Sequence, residues 1–341
     1  MTIAKGSADL PKKKILPMKV PKLYNYPIYG FLFSVIEEKD MNWVYSNFIQ
    51  LMYHENWDMP VFEDHLKLFD ACPFLKSTVF SYSKGEDEFI GTLKNGIDNE
   101  NYIHLFLDWV YVNDKYSGPT LPHSTIISGY DDNKQVFIAH DNYGGGRFVS
   151  KEISYEDTVK AFFSAVRTGG DDSADSRYLR DIAYEKYDRT VITVIDYKKI
   201  FERIGRYLDA APEPVSFYDT KAEYGIDVYE RLARKMEKGY SNMTKDLHML
   251  YEHKLLMCKR IEHCFYEKHT DITEVYEVLE EYEQLCKEHQ TLRNSYIKSF
   301  FTKEDPSGDD SMFAQKMRTF ATRERDTLNK LLTVKDIFVQ M

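Results

Sequence analysis

The stretch from Leu121 to Phe148 limits the folds open to this chain more than any other. Residues 123–130 and 135–139 are rich in β-branched and aromatic side chains, and the polar run Asp131–Lys134 separates them. Gly118 and Pro119 precede the pair, and three glycines, 144–146, follow it. Two such runs bounded by turn formers predict a β-hairpin. Counted outward from the turn, His123 and Asp141 fall at the same open end. A carboxylate beside an imidazole fixes its tautomer and stabilises the imidazolium, which is the base-and-orienter half of a catalytic triad. The plainer reading makes His123 a strand-edge histidine and Asp141 the start of an Asp-Asn turn. Spacing alone favours the plainer reading, because lone His/Asp pairs are common.

Around the hairpin the pattern is α+β. Residues 1–22, with Pro11, Pro17 and Pro21, read as an extended arm. Asn25 offers an N-cap, and Pro27 suits the first turn of a helix with Ile28, Phe31, Leu32, Val35 and Ile36 on its apolar face. Further helices are expected at 42–53, 63–69 and 86–96, and strands at 77–80 and 101–112. Residues 147–153 would add a third strand, after which Ser154 caps a helix over 155–165 with Glu156 and Asp157 in its first turn. The polar stretch 168–188 reads as a loop, and 189–197 as the strand that closes the sheet. Helices are expected from there on, at 197–208, 227–239, 242–268, 272–301 and 311–338. Long helices with short joins suggest an antiparallel bundle.

A histidine at a strand start, the turn Gly129-Tyr130-Asp131-Asp132 and a strand ending in Asp141 before a glycine turn resemble the papain-like peptidases of the bacteriocin-processing type. The resemblance is closest to their relatives, the N-terminal domains of the butirosin-pathway acyltransferase family. The segment Tyr224–Ala233 is similar to the one that opens the helical half of such two-part proteins. The resemblance covers Leu23 to Met236. It implies an α+β chain with a papain-like N-terminal domain, helices plus an antiparallel sheet, at 23–197. An all-α helical bundle at 198–341 follows it, and the arm 1–22 precedes it. It implies His123 as general base, Asp141 as its orienter, and a cysteine nucleophile at the tip of the first helix. Asn25, Tyr26, Tyr29 and Gly30 occupy that place and stand as substrate-binding candidates, with Tyr29-Gly30 where a Cys-Gly pair is expected. No residue from Asn25 to Gly30 is Cys, Ser or Thr. Ser34, more than a turn inside the helix, and Cys72 are the remaining candidates for a nucleophile. Their ordinary roles are a small packing residue and a buried apolar one.

Composition narrows the partners. The net charge is −10, with no basic block, which argues against nucleic acid. Cys72, Cys258, Cys264 and Cys286 form no CxxC pair, so reduced thiols in a cytoplasm are expected. No apolar run has membrane-spanning length, and the first residues lack a signal-peptide core, so a soluble protein without a membrane partner is expected. His104 and Asp108 share a strand face, and His248, His253, Cys258, His263, Cys264 and His269 crowd one helix, but neither set has metal-ligand spacing. No metal and no cofactor is expected. Two functions follow from the resemblance. The first is an acyl- or aminoacyl-transferase of natural-product biosynthesis, acting on a carrier-protein thioester through a site without the usual cysteine. The second is an inactive papain-like protein that binds a peptide, an acyl chain or a carrier protein.

Overall fold

A computed structural model describes residues 12–54, 58–63, 68–143, 145–168, 178–213, 222–239, 242–267, 272–302 and 307–340. The chain mixes helices with antiparallel strands, as an α+β reading requires. In order it runs β1 (Lys13–Ile15), α1 (Pro27–Val35), α2 (Met41–Asn47), β2 (Leu51–His54), β3 (Met59–Phe62) and α3 (Leu68–Ala71). There follow β4 (Leu75–Ser81), α4 (Glu86–Asp98), β5 (Tyr102–Asp108), α5 (Trp109–Val112), β6 (Pro122–Asp131), β7 (Val136–Asp141), β8 (Val149–Ser154), α6 (Tyr155–Thr168) and β9 (Asp181–Tyr187). The rest is α7 (Tyr197–Leu208), β10 (Glu223–Tyr224), α8 (Val228–Glu237), α9 (Thr244–Arg260), α10 (Thr273–Thr302), α11 (Ser307–Thr333) and α12 (Lys335–Val339). Among the described residues no helix is long and apolar enough to cross a membrane.

Contacts divide the described chain into two units, Met1–Ile36 with Cys72–Val191, and Glu37–Ala71 with Ile192–Met341. This corrects the expectation of a continuous domain over 23–197, because residues 37–71 belong to the second unit. The cause is local electrostatics at the end of α2. The last carbonyls of a helix have no partner within it and carry its negative pole. Here Arg260 donates to Tyr45 O (2.6 Å) and Phe48 O (2.5 Å), Arg203 donates to Asn47 O, and His253 Nε2 bonds Ile49 O at 2.7 Å. All four acceptors lie in 45–49, and all three donors come from α7 and α9 of the same unit.

The first unit is built on a seven-stranded antiparallel sheet in the order β4-β9-β5-β6-β7-β8. β1 pairs with Gly129–Asp131 of β6, beyond the reach of β5, so the expected arm contributes a strand. Gly129 is required there, since a Cβ would lie 2.6 Å from Lys14 O. Residues directly opposite in neighbouring strands share a face. Tyr184, Ile103, Ile127 and Ala139 form one such row, and α4 covers it, with Gly96 packed on Ile103 and Tyr184. α6 joins α4 there through the stacked pair Phe89–Phe162, 4.5 Å between centroids. α1 lies on the other face, where Phe31 meets Tyr102 edge-on at 5.3 Å. Ser154 caps α6 as expected, its hydroxyl accepting from Asp157 N at 2.9 Å.

Several boundaries differ from the sequence pattern. The helix expected at 42–53 stops at Asn47, and Leu51–His54 becomes a strand between β3 and β10. Of the helix expected at 63–69, Leu68 and Phe69 lie in α3, and residues 64–67 fall outside the described residues. The strand expected at 189–197 is not one. The sheet takes Asp181–Tyr187 instead, whose Glu185 is buried and accepts from Ser77 Oγ at 2.8 Å. A buried, bonded carboxylate disguised that strand as loop. The last expected helix, 311–338, is divided at Val334.

The second unit pairs α9 with α10, α10 with α11, and α11 with α8. At its centre Lys254 and Glu324 form a fully buried ion pair. The Tyr207 and Tyr282 hydroxyls donate to the same carboxylate at 3.1 and 2.7 Å. Gly225 has φ +55°, and a Cβ there would overlap the Tyr207 carbonyl oxygen. Gly225→Ala combines a left-handed backbone with a backbone clash. It is expected to destabilise this unit by more than about 1 kcal/mol, read as a lower urea midpoint at unchanged m-value.

Candidate functional site

The hairpin forms as its sequence predicts, and it brings His123 and Asp141 together. β6 and β7 pair Ile126 with His140 and Ile127 with Ala139, so Asp141 ends β7 beside Thr125, two residues from His123. His123 Nδ1 lies 2.8 Å from Asp141 Oδ2. That oxygen also accepts from Trp109 Nε1 at 2.7 Å and Thr125 Oγ1 at 3.3 Å, while Oδ1 accepts from the Asn142 amide at 2.6 Å. The Asp141 side chain is fully buried, whereas that of His123 keeps 21% of its surface. Burying a carboxylate is costly unless donors replace its water, and here four do so. The His123 Nε2 has no hydrogen-bond partner among the described residues.

Asp108 shapes the wall over this pair. β5 was expected to run on to residue 112, but Asp108 ends it by capping α5, accepting from Val110 N at 3.1 Å. The same buried side chain accepts from Leu121 N at 3.0 Å and Ser164 Oγ at 2.7 Å, which ties both ends of the 109–121 loop to α6. Trp109 is thereby laid over His123, 4.2 Å between ring centroids, while its indole nitrogen holds Asp141. Sequence reasoning missed Trp109, Thr125 and Asn142. The available signal was Asp108 itself, a helix-capping residue at the end of an apolar strand.

The helix-tip candidates are placed differently. By strand alternation, His123 and Asp141 face the side of the sheet that carries α4 and α6, whereas α1 packs on the opposite side. The tip of α1 approaches their end of the sheet through Asn142 Nδ2, which donates to Tyr24 O at 3.0 Å. Asn25 and Tyr26 are 5% and 6% exposed, and Tyr29 is fully buried. A Cβ on Gly30 would sit 2.5 Å from the Phe148 ring. Tyr29 and Gly30, read from the sequence as substrate-binding positions, are thus packed in the interior, Gly30 against the Phe148 ring. Ser34 is buried, and its hydroxyl donates to Gly30 O at 2.5 Å. Cys72 is buried in the turn before β4, with β9 and β5 between it and the hairpin. Neither is placed as a nucleophile for His123.

His104 and Asp108 do not converge on a metal position. His104 Nε2 bonds Ser124 Oγ at 2.8 Å, and the Asp108 oxygens are taken as described. Among the described residues no group of three or more His, Cys, Asp and Glu side chains could hold a metal ion. Gly144 of the glycine turn lies outside the described residues. Comparison with known protein families and with curated proteins finds no match to this chain.

Proposed function

We propose that this protein transfers an acyl or aminoacyl group from a carrier-protein thioester to an amine, with His123 as general base and Asp141 as its orienter. The observation that carries the reading is the Asp141 carboxylate. It is fully buried and held by four donors, one of them the Nδ1 of a histidine whose other nitrogen has no partner among the described residues. A hydrogen bond at Nδ1 leaves Nε2 as the acceptor, the form a general base needs. Among the described residues no cysteine or hydroxyl bonds the His123 Nε2, so the proposed transfer is direct. The acceptor nitrogen attacks the thioester carbonyl while Nε2 takes its proton, a C–N bond forms, and the C–S bond breaks. The imidazolium returns the proton to the leaving thiolate. Holding donor and acceptor together supplies much of the rate when no covalent intermediate divides the reaction. Trp109 excludes water from one side of the imidazole.

A second reading, binding of a carrier protein or peptide without chemistry, is favoured by one observation: the helix-tip positions that would flank a nucleophile are filled by packing. Purified protein with an acyl thioester donor and an amine separates the two. Direct transfer predicts amide formation, no acyl adduct in the intact mass, and on the order of 10²-fold slower turnover in His123→Ala at unchanged circular dichroism. Unchanged turnover in that variant sinks the transfer reading. An adduct on Cys72 or Ser34 sinks its direct form. Tight carrier-protein association with no product favours the binding reading.

A further inference from the structure

On the sheet face opposite His123 and Asp141, the first unit holds a cavity of about 520 Å³. One wall is the arm segment before α1, and the other is the turn leading into β8. Val20, Phe148 and Val149 make part of it apolar, and Lys19 and Arg147 bring two cations. Neither cation has an ion-pair partner among the described residues, and none of the residues that line the cavity is acidic.

Two hydrated cations on a surface cost nothing and mark no site by themselves. His140 is the independent observation. It lines the same cavity and is only 9% exposed. Its Nε2 is fixed 2.7 Å from Ser128 Oγ, and the Phe148 ring stacks on the imidazole at 6.0 Å and 22°. The Nδ1 has no hydrogen-bond partner among the described residues. Burial holds this imidazole neutral, with its pKa lowered to about 4. When the Ser128 hydroxyl donates to Nε2, the ring proton sits on Nδ1, and a cavity-lining residue carries an N–H without a partner among the described residues. A ring N–H with no partner in the protein can bond an acceptor that arrives with a ligand.

We propose that this cavity binds a small molecule with an oxyanion head, carboxylate or phosphate, on an apolar body. The head lies among Lys19, Arg147 and the His140 Nδ1–H, and the body packs on Phe148 and Val149. A volume of this size is ordinary for a small-ligand site. The site does not depend on the transfer reading, because it shares no side chain with the His123 pair and lies across the sheet from it.

Calorimetric titration of the full chain with octanoate, octyl phosphate and neutral octanamide tests this. Octanoate or octyl phosphate should bind at least about tenfold more tightly than octanamide, the value of one charge-assisted contact. The preference between the two anions identifies the head group. The surface double variant Lys19→Gln/Arg147→Gln should lose that advantage, His123→Ala should keep it, and bound anion should shift the His140 ring resonances. Equal binding of octanamide, equal binding by the double variant, or no binding of either anion at millimolar concentration overturns the proposal.

Discussion

Glu324→Ala is expected to destabilise the second unit by about 3–5 kcal/mol, the usual consequence of leaving a buried charge without its partner. Lys254 and Glu324 both have no exposed side-chain surface. Among the described residues the Lys254 ammonium would keep the Tyr207 hydroxyl, 3.1 Å away, and the faces of Tyr207 and Tyr229, whose centroids lie 5.3 and 5.1 Å away. Cation–π attraction of about 2 kcal/mol per desolvated contact does not offset the loss of a carboxylate. The hydroxyls of Tyr207 and Tyr282 would lose their acceptor as well. Replacing both charged residues, as in Lys254→Met/Glu324→Leu, should restore most of the loss, because no unpaired charge remains. Urea unfolding of the three variants measures this. A cost below about 1 kcal/mol for Glu324→Ala would mean that water reaches Lys254.

Acid should destabilise both units, and the loss should begin at mildly acidic pH. Burial lowers His104, His140 and His289 to about 4, and lowers His253 well below its ordinary value. The first two belong to the first unit and the last two to the second. A histidine whose folded pKa lies below its unfolded value of about 6.5 binds its proton more readily in the unfolded chain. Its contribution is therefore fully present above about pH 6.5 and is lost as pH falls toward about 4. Two such groups per unit give a slope of up to about 2.7 kcal/mol per pH unit, and each histidine lowered to about 4 costs roughly 3 kcal/mol by pH 4. That is comparable with the whole stability of an ordinary domain, about 5–15 kcal/mol. At lower pH the Glu324 carboxyl adds to the loss. Burial pushes it up, but the Lys254 charge more than offsets this and holds it at about 2. Urea midpoints taken from pH 7.5 to 4.5 should fall, and His289→Gln should flatten the slope of the second unit by about one proton. Midpoints constant over that range would refute the account.

The His123–Asp141 pair was legible because its information is local. A turn, two β-prone runs and strand alternation place both residues without any distant contact. The same holds for Ser154 at the start of α6 and for the apolar stripe of α1. The neighbours of the pair were not legible. Trp109 reaches Asp141 only because Asp108 ends β5 and is itself held by Ser164 of α6. The helix tip was expected beside the pair, but which face of a sheet a helix covers depends on packing that no short motif records.

By itself the order of amino acids determined the alternation of short apolar runs and turns, the reversal at Asp131–Lys134, and the mixture of helix and antiparallel strand. Tertiary structure alone decided that 37–71 joins the later helices, that Asp181–Tyr187 and not 189–197 enters the sheet, and that α1 covers the face away from His123. The physical reason is range. A turn or a cap is fixed by residues a few positions apart, whereas the carbonyls of 45–49 are satisfied by side chains about 150 to 215 positions along the chain.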